Sequence, residues 1–118
     1  MNKLLIIGRL TKDIELKEYG DLKVVNNTIA VYMGKDKDKN DITNFFDFKA
    51  FGYGADKLSS QAQKGSKIAI EGALKQETWE SDGATKSKVM IYADNIEIME
   101  STKKETKEEA DVDNSLPF

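Results

Sequence analysis

The residues best suited to chemistry lie between Thr43 and Phe51, a stretch that holds four of the chain's five phenylalanines. If the stretch forms a β-strand, successive side chains point to opposite sides, and one face carries Phe45, Asp47, Lys49 and Phe51. Flat rings beside a cation suit the bases and phosphates of a single nucleic-acid strand, at about 1–3 kcal/mol per stacked base. The alternative interpretation is a strand that is buried on both faces.

Two further features show which aromatic side chains should face the core. The opposite face of the same strand consists of Phe46, Phe48 and Ala50, and we expect it to pack in the core. Trp79 is the only tryptophan, and it stands just before an Asp-Gly pair at positions 82 and 83 that favours a tight hairpin turn. Because the tip of a hairpin has little protein around it, we expect Trp79 to lie outside the core.

The elements that position these residues follow from alternation and turn residues. Strands are predicted over residues 2–10, 14–18, 22–33, 43–51, 67–79 and 86–98, with a short helix over residues 55–63. An interruption of the alternation at Asn26 and Asn27 predicts a bulge or bend. If the first two short strands form one bent unit, the pattern predicts an all-β, five-stranded OB-fold Greek-key barrel with antiparallel connections and one short helix between strands 3 and 4. A different small β-barrel with an incidental helix is the alternative.

Composition excludes several kinds of chemistry. The chain of 118 residues has no cysteine and no histidine, so disulfides, thiolate nucleophiles, imidazole triads and thiolate or imidazole metal sites are absent. Asp36, Asp38 and Asp41 alternate with lysines, a pattern more typical of a solvated loop than of a metal-dependent nuclease. We expect no catalytic residue, no metal and no cofactor. No apolar run is long enough to cross a bilayer, which predicts a cytoplasmic protein that does not contact membranes.

Charge gives only weak support for a nucleic-acid partner. The net charge is −3, and residues 101–118 hold three lysines against five carboxylates, which leaves −1 for residues 1–100. A protein that binds phosphates mainly by charge carries a basic excess. Affinity for a nucleic acid would therefore have to come from stacking and from the arrangement of individual lysines.

Several segments together resemble bacterial-type single-stranded DNA-binding proteins, including those of phages and plasmids. The segments are NKLLIIGRLTKD at the start, FFDFKAFGYGADKL after the third predicted strand, KGSKIAIEGAL before Trp79, and DVDNSLPF at the end. They occur in the family's order and cover nearly the whole chain. The resemblance implies a homotetramer that wraps single-stranded DNA and supports DNA replication, recombination and repair, without catalysis.

The resemblance also implies roles for particular residues. Stacking positions of the family fall on Phe45, Phe51 and Trp79, and Tyr32 is the substitute for a further aromatic that the family often has near Lys35. The basic residues at positions comparable to the family's phosphate contacts are Lys3, Arg9, Lys49 and Lys75. We expect Asp47 to repel phosphate unless Lys49 pairs with it.

The end of the chain differs in composition from the rest. Residues 1–100 are predicted to form the single-stranded DNA-binding domain, and residues 101–118 a disordered acidic tail, because dense charge and few apolar residues cannot form a core. The resemblance implies that the tip recruits replication, recombination and repair proteins through Asp111, Asp113, Leu116, Pro117 and Phe118. Asn114 and Ser115 stand where the family commonly has further aspartates. A frayed terminus is the alternative interpretation.

A different class of function also fits the residues. Phe45, Phe51 and Trp79 could instead form a subunit or partner interface on a protein-interaction barrel, which would suit a body of almost neutral charge. The salt dependence of binding separates the two hypotheses. Affinity for DNA falls steeply with salt, whereas a hydrophobic interface is far less sensitive.

Overall fold

A computed structural model describes residues 1–101 and contains six strands and one helix. The elements are β1 (Leu4–Leu10), β2 (Leu16–Tyr19), β3 (Leu22–Lys35), β4 (Asp41–Phe51), α1 (Tyr53–Gln61), β5 (Lys67–Ser81) and β6 (Ala84–Glu100). All six predicted strands are present. β1 begins two residues later than predicted, β2 is shifted by one or two residues, and the other four are extended at one or both ends, as expected for assignments from alternation alone.

The six strands form one curved sheet in the order β1-β5-β6-β4-β3-β2. An additional pairing sets Arg9 opposite Ala30 and Leu10 opposite Ile29, which brings β1 onto β3. When β1 and β2 are counted as one bent unit, this is the predicted OB-fold arrangement, with the helix between the third and fourth strands. One detail of the prediction is wrong, because β4 and β6 pair in parallel. The chain reverses once in α1 and once in the β5–β6 hairpin before β6 reaches β4.

The core is formed by the inward positions of these strands together with one side of α1. Phe48 and Ala50 are fully buried, as predicted, and they pack in the same cluster as Ile29, Leu58 and Ile70. Each buried aliphatic or aromatic side chain of this size stabilises the fold by roughly 1.5–3 kcal/mol. The core therefore holds the framework on which the outward side chains of β3, β4, β5 and β6 are displayed.

Phe46 departs from the prediction that its whole face is buried. It lies opposite the buried Ile29 of β3, yet 38% of its surface is exposed. The parallel pairing with β6 covers only the part of β4 from Phe48 to Ala50. The first half of β4 has β3 as its one neighbouring strand, so Phe46 is only partly covered.

The helix begins two residues earlier than predicted and also ends two residues earlier. Gly52 has a φ of 56°, a conformation that glycine adopts without strain, and it turns the chain so that α1 starts at Tyr53. Leu58 and Ala62 are buried and face the core. Ala62 already has extended backbone, and its amide closes the last helical turn by donating to the Leu58 carbonyl.

The bulge predicted at Asn26 and Asn27 is wrong, because these residues stay in register with Lys49 and Phe48. Asn27 instead uses its side chain to hold a neighbouring loop. The buried amide donates to the Lys12 carbonyl at 3.0 Å, and its oxygen accepts the Thr28 amide at 2.7 Å. A polar residue therefore interrupts the apolar alternation while the strand continues. The register of β3 and β4 shifts further along, between positions 32 and 35.

Within residues 1–101, no helix has the length and apolar character needed to span a membrane.

Candidate nucleic-acid interface

Strand register places β4, β6 and β5 side by side. The odd-numbered residues of β4 and β5 point to the outside of the barrel, together with the residues of β6 that lie opposite them. Lys49 of β4 lies opposite Tyr92 of β6, and Tyr92 lies opposite Ala73 of β5. The β5–β6 register follows from its turn, where Asp82 and Gly83 both have positive φ, at 51° and 77°. That backbone is the one a two-residue hairpin turn requires.

The four aromatic residues predicted to stack on bases all lie on the outside of the barrel. Phe45 is 63% exposed, Tyr32 59% and Trp79 44%, whereas Phe51 is partly buried. Phe51 packs against Tyr92 with ring centroids 5.3 Å apart and planes tilted by 46°. We call the outward surface around these five rings the aromatic face. Its rings lie on β3, β4, β5 and β6.

A hydrogen-bonded cluster lies beside the Phe51–Tyr92 pair. One oxygen of Glu77, Oε2, accepts from Lys49 Nζ at 2.6 Å and from the Tyr92 hydroxyl at 2.5 Å. Lys75 Nζ lies 5.0 Å from the centroid of the Tyr92 ring, and Lys49 Nζ lies 5.8 Å from it. Ammonium groups at such distances are attracted to the face of an aromatic ring.

Ionisation in this cluster is shifted by the hydrogen bonds to Glu77. The Lys49 ammonium, and then the Tyr92 hydroxyl, stabilise the carboxylate and hold the pKa of Glu77 below its ordinary value of 4.5. The same hydrogen bond raises the pKa of Lys49, and the bond from Tyr92 raises the pKa of that phenol. Glu77 is therefore ionised and Lys49 protonated at neutral pH.

Asp47 lies between Phe45 and Phe51 on β4, and its charged partner is Lys88 rather than Lys49. Lys88 of β6 donates to Asp47 Oδ2 at 2.9 Å, and the Thr28 hydroxyl donates to Oδ1 at 2.6 Å. These two bonds, that from Lys88 first, hold the pKa of Asp47 below its ordinary value. Lys49, the partner considered from sequence, pairs with Glu77 across the sheet. The negative charge of Asp47 is nevertheless balanced by a lysine.

The four basic residues predicted to contact phosphate occupy different parts of the barrel surface. Lys49 and Lys75 lie in the aromatic face, on either side of Tyr92. Arg9 lines a surface depression together with Tyr32, and its guanidinium contacts Glu100 at 3.2 Å. Lys3 Nζ lies 3.5 Å from Glu71. Within residues 1–101, Lys75 is the one member of this set without a carboxylate in salt-bridge distance.

Sequence reasoning missed three members of this surface: Tyr92, Glu77 and Lys88. The signal that could have found them is the Asp-Gly turn, because a two-residue turn determines every pair along the hairpin. Counting back from Ser81 opposite Ala84 sets Glu77 opposite Lys88 and Ala73 opposite Tyr92. All of them then share a face with Trp79.

The carboxylates of the charged loop form hydrogen bonds within the loop and with the strands beside it. Asp36 Oδ1 accepts the backbone amides of Asp38 and Asn40, at 2.8 and 2.9 Å. Asp41 accepts from the Tyr32 hydroxyl and from Lys35. Throughout the described range, residues 1–101, no three carboxylate, histidine or cysteine side chains are grouped to hold a metal ion.

Comparison with known proteins finds relatives that are described as single-stranded DNA-binding proteins. The chain is 36% identical over 107 residues to the single-stranded DNA-binding protein of Aquifex aeolicus, which covers 87% of this chain and 73% of the relative. The protein of the same description from Treponema pallidum is 33% identical over 105 residues, covering 86% of this chain and 59% of the relative. That from Staphylococcus epidermidis is 29% identical over 112 residues, with coverage of 94% and 86%.

A solved structure supports the same fold. The crystal structure of a deletion mutant of the single-stranded DNA binding protein from Thermus aquaticus superposes with a TM-score of 0.70 at 24% identity. The match covers 86% of this chain and 52% of that one, so this chain spans about half the length of its structural neighbour. The model of the single-strand binding protein family matches residues 1–99. The chain belongs to the single-strand binding protein family.

Proposed function

We propose that this chain binds single-stranded DNA, largely independently of sequence and without catalysis, by stacking bases on the aromatic face. The observation that carries the proposal is the outward position of Phe45, Phe51, Trp79 and Tyr32 on neighbouring strands of a family member. An aromatic ring exposed to water has few apolar neighbours, and a nucleobase stacked on it removes apolar surface of both from water. Lys49 and Lys75 lie among the rings, within reach of the phosphates that link successive bases.

The charge of the aromatic face favours stacking as the main source of affinity. Glu77 neutralises Lys49, and Asp47 neutralises Lys88. Few lysines are left to release counterions from the DNA, and binding should depend on salt less steeply than in a basic protein of this size. Each phosphate contact contributes about −0.7 to the slope of log K against log salt for a single strand.

Trp79 provides a direct assay because it is the only tryptophan and lies on the proposed surface. Titration with oligo-dT is expected to quench its fluorescence, and the binding constant should fall as salt is raised. Unchanged emission at saturating oligonucleotide would contradict the proposal. Binding that is insensitive to salt would favour the protein-interaction barrel instead.

Alanine variants test which rings contribute, with a labelled oligonucleotide and fluorescence anisotropy as the measurement. Phe45→Ala and Trp79→Ala should each weaken binding by about 1–3 kcal/mol, the value of one stacked base. Tyr53→Ala is the matched control, because Tyr53 is also highly exposed but begins the helix rather than lying on the aromatic face. An equal loss in all three variants would show that the rings of the aromatic face have no special role.

We further propose that the chain assembles as a homotetramer, as the resemblance implies. Leu5 and Ile7 support this, since they project outward from β1 and Leu5 is 78% exposed. An apolar strand surface of this kind is commonly covered by another subunit. Light scattering should give four times the monomer mass, and Leu5→Glu should lower it.

Recruitment of replication, recombination and repair proteins stays a prediction from sequence. The tip residues, Asp111, Asp113, Leu116, Pro117 and Phe118, lie outside the described residues. Apolar side chains at the end of an acidic segment suit a partner that has an apolar pocket beside basic side chains. A synthetic peptide of residues 101–118 should compete for such a partner, and the same peptide with Phe118→Ala should not.

A further inference from the structure

Two hydrogen-bond donors on the aromatic face converge on a single carboxylate oxygen. Lys49 Nζ and the Tyr92 hydroxyl lie 2.6 and 2.5 Å from Glu77 Oε2, and they come from two different strands. Lys75 Nζ lies over the Tyr92 ring, 5.0 Å from its centroid. An ammonium and a hydroxyl aimed at one point, with a second ammonium close by, form a binding site for an oxyanion.

We propose that Lys49, Lys75 and the Tyr92 hydroxyl form a phosphodiester-binding site on the aromatic face, and that Glu77 occupies this site as a built-in competitor. The inference rests on the proposed function, because the phosphodiester would belong to the single strand stacked on the neighbouring rings. Tyr92 then has two roles. Its ring supports Phe51 at 5.3 Å, and its hydroxyl binds whichever anion is present.

The position of the cluster suits exchange between the carboxylate and a phosphate. The side chains of Lys49 and Glu77 keep 25% and 23% of their exposed area, so solvent and ligand can reach the pair. Glu77 lies on the same face of β5 as Trp79, two residues away, and Lys49 precedes Phe51 by two on β4. A backbone that connects bases stacked on Trp79 and Phe51 would pass over this cluster.

Competition of this kind has a measurable consequence for salt dependence. When a phosphate displaces Glu77, the DNA releases a counterion, but the freed carboxylate attracts one. The net release from this contact is therefore reduced. Removing the charge of Glu77 should restore it and make the slope of log K against log salt steeper by about 0.7, the contribution of one phosphate on a single strand.

The experiment compares Glu77→Gln with Glu80→Gln in the full chain, using labelled oligo-dT and fluorescence anisotropy. Both variants remove one negative charge from β5, but Glu80 lies on the opposite face from Glu77. At about 50 mM salt we expect Glu77→Gln to bind about 2- to 5-fold more tightly than the wild type, the range of a partly exposed ion pair. Glu80→Gln should bind within about 1.5-fold of the wild type, since its charge is on the far side of the hairpin.

A double-mutant cycle identifies the competed cation. In a Lys49→Met background, Glu77→Gln should give a smaller gain than in the wild type, because one of the two ammonium groups of the site is gone. A gain as large without Lys49 as with it would overturn the inference. So would weaker binding by Glu77→Gln, which would mean that the carboxylate only orders Lys49 and Tyr92.

The two proposals fail in different ways. If wild-type protein does not bind oligo-dT at all, the proposed function is wrong. If it binds, and Glu77→Gln and Glu80→Gln are indistinguishable in affinity and salt slope, the proposed function stands and the phosphodiester site is wrong. Thermal melts of each variant establish that the fold is retained.

Discussion

Gly72 is the position where a single added methyl group should most directly disturb both the fold and the aromatic face. It lies on β5 opposite Ala93 of β6 and opposite Leu4 of β1, next to a shift in the β5–β6 register. A Cβ atom there would come 2.2 Å from the Tyr92 carbonyl oxygen and 3.1 Å from Ala93 Cα. Carbon and carbonyl oxygen normally meet at about 3.3 Å or more. Gly72→Ala therefore requires backbone of β6 to move by roughly 1 Å.

The loss of stability expected for Gly72→Ala follows from the atoms that have to move. Both obstructing groups are main-chain atoms of a strand that is paired on both sides, so no side-chain rotation relieves the clash. Overpacking of this kind costs about 1–3 kcal/mol, and the loss of backbone freedom in the unfolded chain offsets about 0.4–1 kcal/mol. We expect a net destabilisation of about 1–2 kcal/mol, or a Tm lower by roughly 4–16 °C for a domain of this size.

Gly54→Ala is the matched control, because it makes the same chemical change inside α1. Its Cβ would meet Ile96 Cδ1 at 3.7 Å and Ala50 Cβ at 3.8 Å, which is ordinary van der Waals contact. Replacing glycine by alanine in a helix stabilises by about 0.5–1 kcal/mol, so Tm should rise by a few degrees. Thermal unfolding followed by circular dichroism measures both variants.

Affinity for oligo-dT provides a second measurement, taken where Gly72→Ala is still folded. The displaced carbonyl belongs to Tyr92, so the ring that supports Phe51 should move with it and binding should weaken. A Tm for Gly72→Ala within about 2 °C of the wild type, with a rise for Gly54→Ala, would refute the reasoning from close approach.

Three further predictions concern the core, a buried amide and the ionised cluster. Phe48→Ala should lower the free energy of unfolding by about 3–5 kcal/mol, because its ring is fully buried, whereas Phe45→Ala should change it by less than about 1 kcal/mol in chemical denaturation. Asn27→Ala should cost about 1–3 kcal/mol, since the carbonyl and amide bound by its side chain lose their partner; a change below about 0.5 kcal/mol would contradict this. The pKa values of Asp47 and Glu77 are lowered by lysine partners, so the stability they contribute is present above the ordinary values of 3.8 and 4.5 and is lost as pH falls through the lower folded values. Thermal melts between pH 6 and about pH 3 should show a smaller loss of Tm for a double Asp-to-Asn and Glu-to-Gln variant at these positions than for the wild type.

Much of this protein could be predicted from the sequence because the relevant signals are local. Alternation along residues 43–51 separates the outward Phe45 and Phe51 from the buried Phe48, and the structure has the same division. The Asp-Gly pair at positions 82 and 83 predicts the hairpin that leaves Trp79 near its tip. Both signals depend on backbone geometry over a few residues, so they need no knowledge of the rest of the chain.

Other features depend on which distant strand becomes a neighbour. Phe46 has the alternation of a core residue but lies where β6 no longer covers β4. Asn27 interrupts an apolar pattern without forming a bulge, because the loop it binds is supplied by residues 12 and 13. Neither outcome can be derived from the strand alone.

The division is clearest among the charged residues of the aromatic face. The sequence by itself determined that Lys49 and Asp47 share a face with two phenylalanines, because parity along one strand is a local property. Only the tertiary structure decided that Lys49 pairs with Glu77 and Asp47 with Lys88. Those partners come from β5 and β6, and their approach is set by the parallel pairing of β4 with β6. Ionic partners separated by tens of residues are selected by packing, and packing is a property of the whole barrel.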